Sequence, residues 1–171
     1  MPNVRLELLA PAHLPALEDM LTDDGLLRHT RVPEPVPAGF ASTWLAFYEE
    51  GRRDGTREAF AVVDEEEARF VGLALAPRIS REEQTVELGY VVAPAARGRG
   101  VATEALRLLT DWAFAELEAL RIELWIDVEN PASTRVAERC GYVREGVLRS
   151  VYFKQGRRRD FEIWSRLTTD P

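Results

Sequence analysis

The chain has one cysteine, two histidines and no long apolar run. Cys140 has no partner for an internal disulfide, and His13 and His29 have no cysteine at the spacing of a metal site, so we expect no bound metal. A membrane-spanning helix needs roughly 18 or more apolar residues in succession, and no segment here reaches that length. The segment from Met1 lacks the basic head and apolar body of a signal peptide. These absences lead us to expect a soluble cytoplasmic protein.

Positive charge is also in deficit, because the chain has 22 lysines and arginines against 29 acidic residues, and its formal net charge is -7. An acidic balance of this size argues against a general nucleic-acid binder. The short basic run Arg157–Arg159, close to Lys154, is predicted to be a solvated hairpin turn. The sequence has neither internal repeats nor low-complexity segments, and 171 residues suffice for a sizeable core. We therefore treat residues 1–171 as a single domain.

The common nucleotide-binding fingerprints are missing from the glycine-containing stretch Val86–Thr103. No Gly-Lys-Ser/Thr follows, as a P-loop requires, and the third glycine of a dinucleotide-binding fold is absent. The stretch instead contains an apolar strand, a proline turn, a loop with Gly98 and Gly100, and the start of a helix. N–H groups at a helix start attract anions, and the two glycines let a ligand approach them. The stretch predicts a phosphate cradle with charge from Arg97 and Arg99, although a two-glycine loop alone also fits an ordinary connection.

Strand and helix periodicities alternate along the chain. They predict strands at Val4–Leu8, Phe60–Val63, Phe70–Ala76, Thr85–Val92, Arg121–Val128, Tyr142–Leu148 and Asp160–Leu167. They predict helices at Ala12–Leu21, Phe40–Glu50, Ala102–Leu120 and Pro131–Arg139, and charged turns at Gly51–Gly55, Asp64–Ala68 and Arg78–Gln84. This order indicates one α+β domain built around a mixed sheet.

Two ordered motifs resemble the GNAT N-acetyltransferase superfamily. Arg97–Ala102, R-G-R-G-V-A, is similar to its acetyl-CoA signature Arg/Gln-x-x-Gly-x-Gly/Ala. Asn130–Ser133, Val136–Arg139 and Cys140–Tyr142 resemble the later motif, in the version typical of the ribosomal-protein alanine acetyltransferase branch. The resemblance extends over residues 58–167. It implies a mixed, mostly antiparallel sheet of about six or seven strands flanked by helices, acetyl-CoA as donor, and a homodimer as one expected oligomeric state.

The implied cofactor contacts lie on both motifs and on the strand before the first one. The resemblance implies that backbone N–H groups bind the pyrophosphate along Arg97, Gly98, Arg99, Gly100, Val101, Ala102 and Thr103. It implies that Tyr90, Val91 and Val92 pair with the amide groups of the pantetheine arm. Asn130 is expected on the other side of that arm, where its amide can both donate and accept hydrogen bonds.

Two residues are the candidates for proton transfer. Glu87 lies on the strand that leads into the implied groove, where many superfamily members carry a carboxylate that works through water; the alternative is a solvent-facing residue of an alternating strand. Many members use a tyrosine as general acid seven residues after the motif asparagine, but Ala137 stands there. Ser133 matches the serine of the branch and is a candidate donor to the leaving thiolate, or else a helix-start residue. Tyr142 and Tyr152 are weaker candidates.

The acceptor is predicted less directly. At pH 7 the neutral fraction of an α-amine with a pKa of roughly 7.8 exceeds that of a lysine with a pKa of roughly 10.4 by about 400-fold. With the branch resemblance, this difference favours a protein N-terminus or a small primary amine as acceptor, with Trp44 as one wall of its pocket, and the acidic balance suits a cationic acceptor. Direct transfer is favoured over an acyl-enzyme on Cys140, since a lone cysteine is commonly a small buried apolar group. A non-catalytic acetyl-CoA sensor and a scaffold without CoA are the rival functions.

Overall fold

The computed structural model describes residues 2–171, which form a seven-stranded sheet with helices packed on both faces. The strands are β1 (Val4–Leu8), β2 (Glu58–Asp64), β3 (Arg69–Ser80), β4 (Thr85–Val92), β5 (Arg121–Asp127), β6 (Val143–Lys154) and β7 (Arg157–Leu167). The helices are α1 (Leu14–Met20), α2 (Asp24–His29), α3 (Phe40–Asp54), α4 (Val101–Leu117) and α5 (Pro131–Arg139), with short 3-10 turns at Pro11–His13 and Pro94–Ala96.

The strand order across the sheet is β1-β2-β3-β4-β5-β7-β6. Neighbouring strands are antiparallel except for β4 and β5, which run parallel. A parallel pair needs a crossover, and α4 supplies it. The predicted mixed, mostly antiparallel sheet flanked by helices is confirmed.

Alternate side chains of the central strands enter two different cores, as the two-residue period of a strand requires. Along β2, Phe60 and Val62 pack toward α4, whereas Ala61 and Val63 pack toward α1 and α3. The α4 side contains the buried stripe Leu106, Leu109 and Ala113, and the other side contains Leu17, Leu26 and Leu45. Each fully buried leucine stabilises the fold by roughly 1.5–3 kcal/mol relative to an exposed one.

Some helices end at other residues than predicted, and one helix was not predicted at all. The helix α3 continues through the predicted turn Gly51–Gly55 and ends where Gly55 adopts φ +71°. The short helix α2 was not predicted, and Asp23 caps it by accepting a 2.7 Å hydrogen bond from the N–H of Leu26. Apolar residues recur every three or four positions from Ala102 and predict Leu120 in the core, but α4 ends before Leu120, which is 52% exposed. Within residues 2–171, no helix combines the length and apolarity needed to cross a bilayer.

Four strands are longer than predicted: β2 and β7 by three residues each, and β3 and β6 by five. The strand β3 continues into the predicted turn Arg78–Gln84, and a register shift after Leu75 accommodates Pro77 in the sheet. The strand β6 extends to Lys154 and forms a long hairpin with β7. The ammonium of Lys154 donates a 2.9 Å hydrogen bond to the carbonyl of Thr30, just after α2. The hairpin therefore closes against the segment that joins α2 to α3.

A buried hydroxyl pair joins α4 to the residue before β6. The hydroxyl oxygens of Thr110 and Tyr142 lie 2.7 Å apart, and both residues are almost wholly buried. Burial raises the pKa of Tyr142, so its hydroxyl stays neutral, and either hydroxyl can donate in this bond. Tyr142, one of the weaker candidates for a proton donor, is thus bonded inside the core.

We expect Tyr142→Phe to lower the free energy of unfolding by about 1–3 kcal/mol, because the buried hydroxyl of Thr110 loses its partner. Urea unfolding followed by circular dichroism measures the change. The double variant Tyr142→Phe/Thr110→Val removes both hydroxyls and should recover part of the loss. A Tyr142→Phe protein as stable as the unchanged one would show that the bond contributes nothing.

Candidate active site

The sheet splits between β4 and β5. The two strands pair from Thr85 opposite Arg121 to Leu88 opposite Leu124, and the pairing stops there although both strands continue. A cavity of about 820 Å³ opens at the split, lined by residues of α2, α3, β4, β5 and α5. A Cβ added to Gly89 would meet no described atom within 4 Å, so the face of β4 is open there. The second half of β4 can thus pair with an extended ligand along its free edge.

The start of α4 has the geometry of an anion site. Gly98 and Gly100 have φ values of +74° and +84°, which other residues rarely adopt, as the sequence predicted. The first backbone bond of the helix runs from the N–H of Glu104 to the carbonyl of Gly100 at 3.1 Å. Within residues 2–171, the N–H groups of Val101, Ala102 and Thr103 have no acceptor, and no side chain caps the helix. These donors at the positive end of the helix dipole fit a phosphate group.

The two arginines of the loop are partly engaged by the protein itself. The Nε of Arg97 donates a 3.1 Å hydrogen bond to the carbonyl of Val92, and its guanidinium pairs with the carboxylate of Asp23. The hydrogen bond from Arg97 holds the pKa of Asp23 below its usual value. Arg99 is half-exposed, with its Nη2 3.8 Å from an oxygen of Asp64. Arg97 therefore ties the phosphate loop to α2, a role that the sequence did not predict.

Glu87 lies at the other end of the cavity and is only 9% exposed. The alternative interpretation of Glu87 as a solvent-facing residue is therefore wrong. Its Oε1 lies 3.5 Å from Arg31 and its Oε2 lies 3.5 Å from Arg78. Both arginines also stand over the ring of Trp125. The carboxylate is thus held in an aromatic cleft between two cations.

Three polar side chains, those of Asn130, Ser133 and Tyr90, meet on the cavity wall at the start of α5. The side chain of Asn130 accepts from the N–H of Ser133 at 3.3 Å and donates to its hydroxyl at 3.2 Å. This geometry is compatible with Ser133 as a helix-start residue and as a hydrogen-bond donor to the leaving thiolate. Its hydroxyl accepts from Asn130 and keeps its own proton available. The hydroxyl of Tyr90 donates to the carbonyl of Ser133 at 3.4 Å. Burial raises the pKa of Tyr90 to about 12, so this phenol is protonated at neutral pH.

The other candidate donors and the candidate nucleophile do not line the cavity. Cys140 is buried, and its Sγ faces the carbonyl of Thr103 at 3.4 Å. Burial raises the pKa of Cys140 to about 11, which keeps it a thiol and disfavours an acyl-enzyme. The hydroxyl of Tyr152 donates to the carbonyl of Arg31 at 3.5 Å, so it supports a loop.

A buried ion pair at the end of β5 corrects two predictions. Apolar residues alternate from Ile122 to Val128, which predicts Asp127 on the exposed face and Val128 on the buried face, but Asp127 is 4% exposed and Val128 is 45% exposed. The guanidinium of Arg159 pairs with Asp127, and Arg159 is itself buried. The run Arg157–Arg159 is therefore only partly a solvated turn. The pair compensates a carboxylate that would otherwise be buried without a partner beside the cavity.

The match to known families agrees with this geometry. Residues 3–143 match the family described as Acetyltransferase (GNAT) domain. The chain belongs to the GNAT acetyltransferase family. This membership confirms the predicted family and, at the level of the family, an N-acetyltransferase that uses acetyl-CoA as donor.

Several GNAT relatives are similar to this chain. "Probable N-acetyltransferase YjcK" of Bacillus subtilis (strain 168) is 32% identical over 124 residues, which cover 72% of this chain and 68% of the relative. The spermidine N(1)-acetyltransferase of Vibrio cholerae is 31% identical over 99 residues, 58% of this chain and 57% of the relative. The crystal structure of spermidine N-acetyltransferase from Vibrio cholerae in complex with CoA and spermine has a TM-score of 0.85 and 24% identity, and covers 98% of this chain and 96% of that one. This structural likeness shows a shared fold.

The GNAT cavity brings together some of the predicted site residues and not others. It is lined by Glu87, Tyr90, Val91, Val92, Arg97, Ala102, Asn130 and Ser133. Gly98, Arg99, Gly100, Val101 and Thr103 do not line it and flank Arg97 and Ala102 in the chain. The prediction that Trp44 walls the pocket agrees with its place on the cavity lining. Sequence reasoning missed Arg31, Arg78 and Trp125, because nothing local to them indicates that they meet at Glu87.

Proposed function

We propose that this GNAT domain moves an acetyl group from acetyl-CoA directly to a primary amine, either a protein N-terminal α-amine or a small amine. The observation that carries the proposal is the continuity of the cavity from the α4 start and the free edge of β4 to the buried carboxylate of Glu87. A donor held by its phosphates at α4 would reach along β4 toward Glu87. A cytoplasmic location and a homodimer belong to the same proposal.

Each part of the donor has a matching part of the chain. The N–H groups of Val101–Thr103 are proposed to hold the pyrophosphate, together with the loop from Arg97 to Gly100. The edge of β4 at Tyr90–Val92 is proposed to pair with the amides of the pantetheine arm, with Asn130 opposite. Backbone donors near that edge would also polarise the thioester carbonyl.

The proposed chemistry needs a neutral amine and a place for its proton. The amine nitrogen forms a bond to the acetyl carbon, and the carbon–sulfur bond breaks. Glu87 is the proposed general base, which takes the amine proton through water. Ser133, on the cavity wall, is proposed to donate a hydrogen bond to the leaving thiolate, which then takes its proton from solvent. Because a free thiol has a pKa of roughly 8.5, the thiolate is a tolerable leaving group without a dedicated acid.

A panel of amines tests the proposal. We expect saturable thiol release from acetyl-CoA, and acetylated product by mass spectrometry, with at least one of three acceptor classes: N-terminal peptides, small α-amino compounds and polyamines. At pH 7 an α-amine should react faster than the ε-amine of an otherwise similar compound, because more of it is neutral. Saturable acetyl-CoA binding without turnover of any amine would favour the sensor. Ala137, at the position of the missing tyrosine, is what keeps that alternative open.

A further inference from the structure

Two arginines from distant parts of the chain converge on Glu87, which lines the cavity. Arg31 follows α2 and Arg78 lies on β3, and their Cζ atoms stand 5.4 and 5.7 Å from the centre of the Trp125 ring. Each guanidinium approaches a different oxygen of Glu87, at 3.5 Å. Two cations therefore bracket one carboxylate over one indole ring.

The hydrogen-bonding capacity of these two arginines is unused. A guanidinium carries five N–H donors in a planar fork that matches a carboxylate. Neither side chain donates a hydrogen bond to any acceptor within residues 2–171, and the side chains are 48% and 60% exposed. By contrast, Arg121 donates to the two oxygens of Glu145 at 2.8 and 2.6 Å. The donors of Arg31 and Arg78 are thus available to a ligand.

The carboxylates nearest the two arginines are those of Glu87 and Glu123. Glu123 lies 3.6 Å from Arg78 and shares Arg121 with Glu145, which accepts from that guanidinium at 2.8 and 2.6 Å. Asp127 is paired with Arg159. Among the described residues, Glu87 is the carboxylate that faces both guanidinium groups. A ligand carboxylate can accept hydrogen bonds from the unused donors of Arg31 and Arg78, whereas a cationic group cannot.

The backbone holds both arginines in place before any ligand binds. Arg78 lies directly opposite Glu87 in the register of β3 and β4. The carbonyl of Arg31 accepts from the hydroxyl of Tyr152, and Lys154 bonds the carbonyl of the preceding Thr30. Because the backbone of both arginines is already fixed, a ligand has to order only their side chains, which lowers the entropic cost of binding.

We propose that Arg31 and Arg78 bind the carboxylate of an α-amino acid while Glu87 receives its amine. This assignment rests on the proposed acetyl transfer and names its acceptor class. An α-amino acid carries an ammonium and a carboxylate on one carbon. These two charges match the carboxylate of Glu87 and the two guanidinium groups, each of which lies 3.5 Å from one oxygen of Glu87. Aromatic residues also line the cavity and suit an apolar side chain; they are Phe40, Trp44, Phe47, Tyr48 and Phe161.

Three acceptors with the same apolar side chain test the assignment: L-leucine, L-leucinamide and 3-methylbutylamine. Thiol release is measured at saturating acetyl-CoA, and kcat/KM is expressed per neutral amine. We expect leucine to exceed both carboxylate-free compounds by about 10-fold or more, the size expected for charge-assisted hydrogen bonds.

Variants assign that preference to the two arginines. Arg31→Gln and Arg78→Gln should each lower kcat/KM for leucine by about 10-fold, mainly through KM, and leave leucinamide almost unchanged. Arg31→Lys keeps the charge but loses the fork and should fall between. Arg81→Gln, an exposed arginine in the turn after β3, is the matched control and should behave like the unchanged protein. Because the readout is a ratio of two substrates, a general loss of folding or of Glu87 function does not mimic it.

The outcomes separate this assignment from the proposed function. Turnover of all three amines without preference for leucine, or a preference that survives both substitutions, overturns the carboxylate site and leaves acetyl transfer intact. Faster turnover of N-terminal peptides than of leucine also overturns it. If no amine is turned over, acetyl transfer fails, and calorimetry with N-acetyl-L-leucine and CoA decides the site. A Kd weakened about 10-fold by Arg31→Gln would support it, and an unchanged Kd would overturn it.

Discussion

Glu87→Gln is expected to lower kcat by about 100- to 1,000-fold for the best amine found, because it removes the proposed general base. The Kd for acetyl-CoA should stay unchanged, since Glu87 lies away from the start of α4, where the diphosphate is proposed to bind. The defect should shrink as the pH rises above the pKa of the acceptor amine, because the amine then loses its proton to solvent and needs the base less. Steady-state thiol release across a pH series measures both effects.

The matched control for Glu87→Gln is Glu82→Gln. Glu82 is an exposed glutamate in the turn before β4, so it undergoes the same chemical change away from the cavity. It should retain full activity. Thermal unfolding of both variants checks that the fold is intact, since Glu87→Gln leaves Arg31 and Arg78 without their carboxylate. A Glu87→Gln enzyme with unchanged kcat would rule out the general-base role and leave the donor site unaffected.

Gly100→Asp is expected to weaken acetyl-CoA binding on the order of 100-fold, close to 2.7 kcal/mol. A carboxylate would stand beside the N–H groups of Val101–Thr103, where the diphosphate is proposed to bind, and would both repel it and compete for the donors. The backbone effect adds to this, because Gly100 has φ +84° and its added Cβ would approach the Pro2 ring to 3.3 Å. Calorimetric titration with acetyl-CoA measures the loss.

Gly55→Asp separates charge at the phosphate site from backbone strain. Gly55 has a similar φ of +71°, and its added Cβ would meet no described atom within 4 Å. It ends α3 and lies outside the cavity lining, so Gly55→Asp should bind acetyl-CoA as the unchanged protein does. Tight binding of acetyl-CoA by the Gly100→Asp protein would show that the diphosphate does not bind at the start of α4. Equal losses in both variants would attribute the effect to strain alone.

The donor end of the site could be read from the sequence because it is local. The strand, the proline turn, the glycine loop and the helix follow one another within Val86–Thr103, so their order alone predicts bare N–H groups at a helix start. The structure has these groups and the two positive φ values. What the local pattern missed is that Asp23 takes up part of the charge of Arg97, since α2 is short and lies far away in the chain.

The proposed base shows where prediction from sequence ends. The pattern placed Glu87 on a strand that leads into the groove, and β4 has the predicted bounds. Its burial depends on β5 and α3 covering it, and its two cations come from β3 and from the segment after α2. The same holds for Asp127. The alternation predicts it on the exposed face, but it is buried and its charge is paired with Arg159 on β7. Charged partners across strands leave no periodic signal.

By itself the sequence determined the family, the mixed sheet and the place of the glycine loop before α4, because these follow from consecutive residues and from periodicities along one segment. Only the tertiary structure decided the surroundings of Glu87: its bracketing by Arg31 and Arg78, and the packing of the β6–β7 hairpin against the segment that follows α2. The physical reason is that strand order and register, not sequence distance, decide which charges meet, and a charge is stable in a cleft only where its partner has been brought to it.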